Sequence, residues 1–218
     1  MNQPTKYPMP LHCWPDLPYM AKIMHSGRVC FDSDMPFAKA TGMNRYRLAD
    51  SQGAIMISLP IHGGRSHHQP LGNVRFATEQ GRSGGVWAKT HWRSIQNAYR
   101  RAPFFEYLED DLSKLILETG ELLMDYNLKV LAWLIQRLAL DVQITESAVL
   151  RPLSQPWVLL LKEVHWKTPG YYQQFEAQTH FVPGLSVLDL LIQCGPHESK
   201  AYLERYLALN ASNFNAQP

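Results

Sequence analysis

Three amphipathic segments that follow one another constrain the fold of this chain more than any other feature. They are GVWAKTHWRSIQNAYRRA (85–102), FFEYLEDDLSKLILETG (104–120) and NLKVLAWLIQRLALD (127–141). In each, apolar residues recur every three or four positions, which is typical of an α-helix with one buried face. Pro103 separates the first two helices, Gly120 is the expected C-cap of the second, and Asp125 is the expected N-cap of the third. Short links between successive helices predict antiparallel neighbours that cover a common core.

Strand patterns lie on both sides of these helices. Before them, the sequence predicts a short helix from Pro18 to Gly27, a strand RVCFD, and a hairpin YRLADSQGAIMISL with its turn near Asp50 to Gly53. After them, it predicts strands at ITESAVL and WVLLLKEV, a buried helix from Ser186 to Gly195, and a last helix SKAYLERYLAL. Strands, then helices, then short strands favour one α/β or α+β domain over residues 1–218.

Two segments have the composition of irregular structure. Residues 62–86 are rich in Gly, Ser and His, and we expect a long loop there, interrupted by a short strand at NVRFA. Residues 209–218 form a polar tail that we expect to be frayed.

The overall composition narrows the class of protein. The 218 residues are 45% hydrophobic and 18% charged, which indicates a folded globular chain. The formal net charge of +2 argues against binding of nucleic acid. Three cysteines without a CxxC pair argue against a disulfide framework or a zinc ribbon and favour a reducing compartment. No apolar run is long enough for a signal peptide or a membrane span, so we expect a cytoplasmic protein.

The stretch DMPFAKATGMNRYRL (34–48) concentrates polar groups suited to an anion. If the chain is extended there, Arg45 and Arg47 lie on one face, and their guanidinium groups match a carboxylate or a phosphate. Lys39 adds a third cation, Asn44 can bind an amide or a hydroxyl, and Asp34 can accept a proton. The alternative is a solvated hairpin whose surface ion pairs are each worth about 0–1 kcal/mol.

The histidines suggest further candidates without a strong motif. His12 and His91 can serve as general bases, although a histidine on a helix is more often a hydrogen-bonded packing residue. His62, His67 and His68 lie in the Gly-rich loop, but their spacing matches no metal motif, and whether they hold a metal stays open. The Gly-rich pieces match neither of the two common phosphate-binding loops.

Three blocks of the sequence together resemble the WbqC-like family. They are MPLHCWPDLPYMAKI with VCFDSDMPFAKATGMNRYRL, then LPI with VWAKTHWRSIQNAYRRAPFFEYL, and finally FVPGLSVLDLLIQCGPHESKAYL. The resemblance implies a mixed α+β form of the α/β class, with an N-terminal strand–helix–strand and hairpin and a helical C-terminal half. The chain departs from the family in its segment between Leu150 and Tyr171, which is shorter and lacks a Tyr-x-Ser-Gly type motif. It is therefore similar to a divergent member.

The resemblance also implies a setting in bacterial surface-polysaccharide (O-antigen) biosynthesis. It suggests a transferase that moves an acyl or aminoacyl group to a nucleotide-linked amino sugar. The alternative is a non-catalytic binding or accessory protein of the same fold that recognises an anionic sugar or a partner enzyme. The cofactor is unknown, and the donor and acceptor stay open.

The expected site residues follow from that resemblance together with the residue chemistry. Candidates for catalysis are Asp34, Lys39 and His91, and candidates for binding an anionic substrate are Asn44, Arg45, Arg47, His12 and Tyr99. Asp189, in the last block, is expected to be a buried structural acid that bonds to a helix N-terminus or an Arg rather than a catalyst.

Overall fold

The computed structural model describes residues 9–38, 42–62, 69–77, 86–147 and 166–215. The helices are α1 (Leu17–Ser26), α2 (Val86–Tyr99), α3 (Phe105–Leu117), α4 (Leu123–Arg137), α5 (Glu176–Thr179), α6 (Val187–Leu209) and α7 (Ala211–Asn215), with a 3-10 helix at Leu71–Asn73. The strands are β1 (Arg28–Asp32), β2 (Arg45–Asp50), β3 (Gly53–Ser58) and β4 (Gln143–Ser147). This is the mixed α/β architecture that the sequence predicts, with a helical C-terminal part.

The first helix begins and ends where its caps require. The Asp16 side chain accepts a hydrogen bond from the Tyr19 amide at 3.0 Å and so caps the N-terminus of α1. Gly27 ends the helix in the left-handed region, with φ of 64°, and donates its N–H to Ile23 O. The prediction of a helix that ends at Gly27 is confirmed.

Two strand pairs form separately. Strands β1 and β4 are parallel, with Arg28 opposite Gln143. The segment before α1, for which the resemblance implies an opening strand, is extended rather than a strand, and Met9 donates its N–H to Cys30 O of β1 at 2.9 Å. Strands β2 and β3 form the predicted hairpin, in which Asp50 and Gly53 close the register.

The three central helices are confirmed, and two of their boundaries differ from prediction. Helix α3 ends at Leu117 with Glu118 as its C-cap, so Gly120 lies beyond the cap, in the left-handed region with φ of 73°. Helix α4 begins at Leu123, and Asp125 lies in its first turn rather than at the N-cap. The earlier start buries Leu123 fully, so burial decides the boundary over the capping preference of aspartate.

The segment between the hairpin and α2 is partly ordered by isolated pairing. The predicted strand NVRFA contributes two single bridges, Phe76 with Ile61 and Arg75 with Leu122, instead of a strand. Residues 63–68 and 78–85 of the predicted 62–86 loop lie outside the described residues, as does the predicted strand WVLLLKEV.

The C-terminal helix α6 consists of two helical parts that meet at Gly195. Ser186 caps its start as expected, through a bond from the Leu188 amide at 3.2 Å. At Gly195 the backbone leaves helical geometry, with φ of 76° and ψ of 171°, so the first helical part ends there as predicted. A second part begins at Pro196, earlier than the predicted helix SKAYLERYLAL, and continues to Leu209, because a proline is well suited to the first turn of a helix.

The tail is more ordered than its composition predicts. Residues 211–215 form α7, and Phe214 is buried against the ring of Trp166 at a centroid distance of 4.9 Å. The expectation of a frayed tail from residue 209 is therefore wrong for this part, because one aromatic side chain finds an apolar contact. Within the described ranges, no helix is long and apolar enough to cross a membrane.

Candidate functional site

The outer face of the β2–β3 hairpin carries two of the predicted binding residues. Arg45 and Arg47 are both exposed. Tyr46, which lies between them, and Leu48, which follows Arg47, are buried in the core. Alternate residues of a strand lie on one face about 7 Å apart, so the two guanidinium groups share this face. Met56, which is 56% exposed, lies opposite Arg47 in the register. The structure thus brings Arg45 and Arg47 together as the sequence predicts.

Neither arginine forms a salt bridge in the described part of the chain. The salt bridges found there are Arg75 with Glu121, Arg137 with Asp111, and His197 with Glu198, all at N–O separations within 4 Å. Burial raises the pKa of Asp16 and the positive charge of Arg47 acts in the opposite direction, so these two groups interact at longer range. Both exposed guanidinium groups keep their hydrogen-bond donors available to an anion.

Arg47 is flanked by the segment that leads into α6. Ser186 donates its N–H to Arg47 O at 2.8 Å, which fixes the strand against this segment. A Cβ on Gly184 would lie 3.1 Å from Arg47 Nη1, so the missing side chain leaves room for the guanidinium. Gly184 also has φ of 70°, which glycine tolerates better than other residues. Sequence reasoning missed Gly184, because nothing in its local pattern links it to β2.

Asn44 supports the hairpin from inside. It is 4% exposed, and its Nδ2 donates to Leu59 O at 2.9 Å. Its Oδ1 is buried and has no hydrogen-bond partner among the described residues. Asn44 therefore joins the start of β2 to the end of β3, just behind the exposed Arg45.

His12 lies against the turn that precedes Asn44. Its ring stacks on Tyr19 at a centroid distance of 4.3 Å, and a Cβ on Gly42 would lie 3.3 Å from its Nδ1. Burial lowers the pKa of His12 to about 3, so the imidazole is neutral at ordinary pH. Cys13 donates its N–H to Gly42 O at 3.2 Å, which holds the two segments together.

Asn127 of α4 ties the same two segments, and sequence reasoning missed it. Its Nδ2 lies 2.8 Å from Met43 O and 3.3 Å from Leu11 O, and the side chain is fully buried. A helical asparagine within a leucine stripe was the available signal, since a buried amide needs backbone partners.

The two other residues of the DMPFAKATGMNRYRL stretch are placed differently. Asp34 is exposed in the turn after β1, and its N–H donates to Asp32 Oδ1 at 2.8 Å. Lys39 lies outside the described residues. Ala38 donates its N–H to Met43 Sδ at 3.4 Å, so the segment returns towards the start of β2.

His91 lies on the opposite side of β2 from the arginines. It is 5% exposed, its Nε2 is hydrogen-bonded to the Tyr46 hydroxyl, and its ring lies 6.1 Å from that of Trp87. Burial lowers the pKa of His91 to about 4, so it is a neutral imidazole within the core. Its Nδ1 is buried without a partner among the described residues.

Tyr99 belongs to a second buried network on the same inner side. Its hydroxyl donates to Asp189 Oδ1 at 2.7 Å and accepts the Ala49 N–H at 3.1 Å. Tyr171 donates to Asp189 Oδ2 at 2.6 Å. Asp189 is a buried acid as predicted, but its partners are tyrosine hydroxyls rather than an Arg. Burial raises its pKa, while the hydrogen bonds from Tyr171, Tyr99 and Gln193 act in the opposite direction.

The predicted residues therefore form three groups. Arg45 and Arg47 share the exposed face of the hairpin, His12 and Asn44 support the turn behind it, and His91 and Tyr99 lie beneath it. Among the residues with described positions, no group of three or more His, Cys, Asp or Glu is arranged to hold a metal ion. His67 and His68 lie outside those residues, and His62 is exposed.

Comparison with known proteins identifies the family. The WbqC-like protein family matches residues 12–163, which is well over half of the chain and includes α1, the hairpin and α2 to α4. The chain belongs to the WbqC-like protein family. The third block of the resemblance, at residues 181–203, lies beyond this match and stays a prediction.

One curated relative and the solved structures complete the comparison. The chain is similar to the uncharacterized protein Rv1507c of Mycobacterium tuberculosis, with 32% identity over 85 residues, or 39% of this chain. The match spans about a third (34%) of the length of that relative. No solved structure matches the chain.

Proposed function

We propose that this WbqC-like protein binds the phosphate of a nucleotide-linked amino sugar on the outer face of its hairpin. The observation that carries the proposal is the pair of exposed arginines, Arg45 and Arg47, with no acid within salt-bridge distance in the described part of the chain. Two arginines at strand positions about 7 Å apart suit the adjacent phosphates of a diphosphate, because each guanidinium can bind one phosphate with two parallel hydrogen bonds.

The proposed reaction is transfer of an acyl or aminoacyl group in bacterial surface-polysaccharide biosynthesis. The amino nitrogen of the sugar attacks the acyl carbonyl carbon of an activated donor, the bond to the leaving group breaks, and the amine loses a proton. In this proposal Asp34 accepts that proton, and Lys39 stabilises the negative charge that develops on the carbonyl oxygen. Asp34 is exposed and free to approach a substrate, which supports its role.

The buried candidates have supporting roles in the same proposal. His91 is neutral and bonded to Tyr46, so it holds β2 from beneath through that residue. Tyr99, about two turns further along α2, does the same through the Ala49 amide. His12 and Asn44 fix the turn from which the two arginines extend. We also propose a cytoplasmic location, which the three free cysteines support.

The burial of two predicted site residues favours a second candidate function. His91 and Tyr99 are enclosed in the fold, and this supports a protein that binds an anionic sugar or a partner enzyme without turnover. The sugar-binding form of this candidate shares the anion-binding step with the transferase and differs from it in that no product forms.

Incubation of the full chain with a sugar nucleotide and an acyl or aminoacyl donor separates the two candidates. The transferase predicts an acylated product by mass spectrometry that Asp34→Asn reduces strongly, while sugar-nucleotide binding persists. Binding without product supports the accessory function. Absence of sugar-nucleotide binding contradicts the transferase and the sugar-binding protein, and leaves the binding of a partner enzyme.

A further inference from the structure

A cavity of about 460 Å³ lies between the start of α3 and the kinked helix α6. Most of its lining residues lie beyond the residues matched to the family, while Pro103 and Phe104 lie within that match. Its volume is within the range of small-molecule sites in proteins. Four aromatic side chains line it: Phe104, Tyr171, Tyr172 and Tyr202.

The kink at Gly195 shapes this cavity. A Cβ at Gly195 would lie 2.6 Å from the Phe104 ring, so the ring packs directly on the helix backbone. The change of direction places Gln193 and Cys194 before the kink, and Glu198 and Tyr202 after it, around one concave surface. Tyr172 is 57% exposed, which leaves one aromatic wall open to a ligand.

The cavity lining carries one acid, Glu198, and one base, Arg205, and its buried unpaired polar atom is an acceptor. Glu198 is exposed and lies 3.6 Å from Nδ1 of its neighbour His197. Gln193 is 3% exposed and its amide bonds to Asp189, but its buried Oε1 has no donor among the described residues. The Tyr171 and Tyr202 hydroxyls already donate, to Asp189 and to Pro169 O. An incoming group that donates hydrogen bonds therefore fits this surface.

The charge at the Glu198 end of the cavity favours a cation. Burial is the main cause that raises the pKa of the Cys194 thiol to about 11, and the negative charges of Asp189 and Glu198 add to it. Arg205 also lines the cavity and opposes them, but it lies seven residues from Glu198, or about 10 Å along the helix, with its guanidinium over the Tyr202 ring at 6.0 Å. Cys194 is thus a neutral thiol and contributes an apolar contact rather than a nucleophile.

We propose that this cavity binds a primary ammonium group carried on an apolar or aromatic body. Glu198 supplies the opposite charge, Gln193 Oε1 is the acceptor for an N–H, and the aromatic walls contact the body of the ligand and the face of the cation. The inference goes beyond the proposed function, whose ligand is an anion bound by the β2–β3 hairpin.

The test uses one ligand series in which a single group changes. Ligand-observed NMR titration of the full chain would compare 2-phenylethylammonium with its N-trimethyl analogue, with 2-phenylethanol and with phenylacetate. The primary ammonium is expected to bind at least fivefold more tightly than each of the others. Equal binding of the alcohol would overturn the role of charge, and equal binding of the trimethyl analogue would overturn the role of the N–H donors. Absence of binding by the primary ammonium would overturn the site itself.

Variants of the acid and of the arginine are expected to change the affinity in opposite directions, which a general loss of structure would not do. Glu198→Gln is expected to weaken binding of 2-phenylethylammonium about fivefold, whereas Glu204→Gln, an exposed acid on the same helix outside the cavity, leaves it unchanged. Arg205→Gln removes the opposing charge and is expected to strengthen binding. Weaker binding by Arg205→Gln would contradict the proposal and indicate an anion instead. Arg45→Gln should have no effect, whatever becomes of the proposed function.

Discussion

The hydroxyl of Tyr99 lies 2.7 Å from Oδ1 of Asp189 and joins α2 to the first turn of α6. The same hydroxyl accepts the Ala49 N–H of β2 at 3.1 Å, so one oxygen connects three elements of the fold. Tyr171 holds the other carboxylate oxygen. This network links the strand of the two arginines to the wall of the α6 cavity through residues far apart in sequence.

Removal of the Tyr99 hydroxyl should therefore be costly. Tyr99→Phe keeps the ring but leaves the buried Ala49 N–H without its acceptor and Asp189 without one donor, so we expect a loss of about 1–3 kcal/mol in the free energy of unfolding. Urea unfolding measures it. Tyr107→Phe is the control, since Tyr107 is 78% exposed. A loss for Tyr99→Phe no larger than that of the control would show that the network does not stabilise the fold.

The buried His91 predicts a pH dependence of stability with a definite sign. Its pKa is about 4 in the folded chain against an ordinary value of 6.5, because burial disfavours the charged form. Between these values the unfolded chain binds more protons, so the contribution of His91 to stability is complete above pH 6.5 and declines as the pH falls towards 4. The decline is at most about 3 kcal/mol.

His91→Gln isolates this contribution. His12 acts in the same direction, and Asp16 and Asp189, whose pKa values are raised, act in the opposite one, but the variant retains all three. Denaturant unfolding at pH 7, 5.5 and 4 should show that the native chain loses more stability than the variant. Parallel pH profiles for the two proteins would show that His91 does not titrate in this way.

Gly195→Ala should destabilise the kinked helix. The added Cβ would lie 2.6 Å from the Phe104 ring, and φ of 76° is unfavourable for alanine, so we expect a loss of about 2–4 kcal/mol in stability. Gly120→Ala is a matched control, because Gly120 has φ of 73° and no atom within 4 Å of the added Cβ. The difference in thermal unfolding between the two variants measures the contact with Phe104. Equal losses of stability in the two variants would mean that the Phe104 ring moves away from the added methyl group without a measurable energetic cost.

Gly184→Ala tests the link between α6 and the hairpin. The new Cβ would lie 3.1 Å from Arg47 Nη1, so the guanidinium must move, and we expect about threefold weaker binding of a sugar nucleotide. Isothermal titration calorimetry provides the measurement, with Gly120→Ala as the control for strain at positive φ. Unchanged affinity in Gly184→Ala would indicate that Arg47 does not bind the ligand from this position.

Local patterns in the sequence predict most of this fold. The helix ends at Gly27 and Ser186, the hairpin with its turn at Asp50 to Gly53, and the three central helices each depend on residues close together in the chain. The predictions fail where contacts between residues distant in the sequence determine the local structure. Leu123 is drawn into the core and moves the start of α4, and Phe214 packs on Trp166 and orders the tail.

The candidate site is less predictable for the same reason. Alternation along β2 places Arg45 and Arg47 on one face, and local sequence is enough to show this. The burial of His91 against Tyr46, the amide bridge of Asn127 and the room that Gly184 leaves for Arg47 join residues separated by 45 positions or more. No local pattern encodes such contacts, so the sequence suggests these residue types without showing which side of the strand they occupy.

Calorimetric titration of the full chain with a sugar nucleotide tests the central claim most directly. The native protein should bind. Arg45→Gln and Arg47→Gln should each weaken binding about tenfold or more, because each removes a charge-assisted pair of hydrogen bonds to phosphate. Arg93→Gln, a change of an exposed arginine on α2, should leave affinity unchanged. Equal affinity of the native protein and both hairpin variants would contradict an anion site on β2.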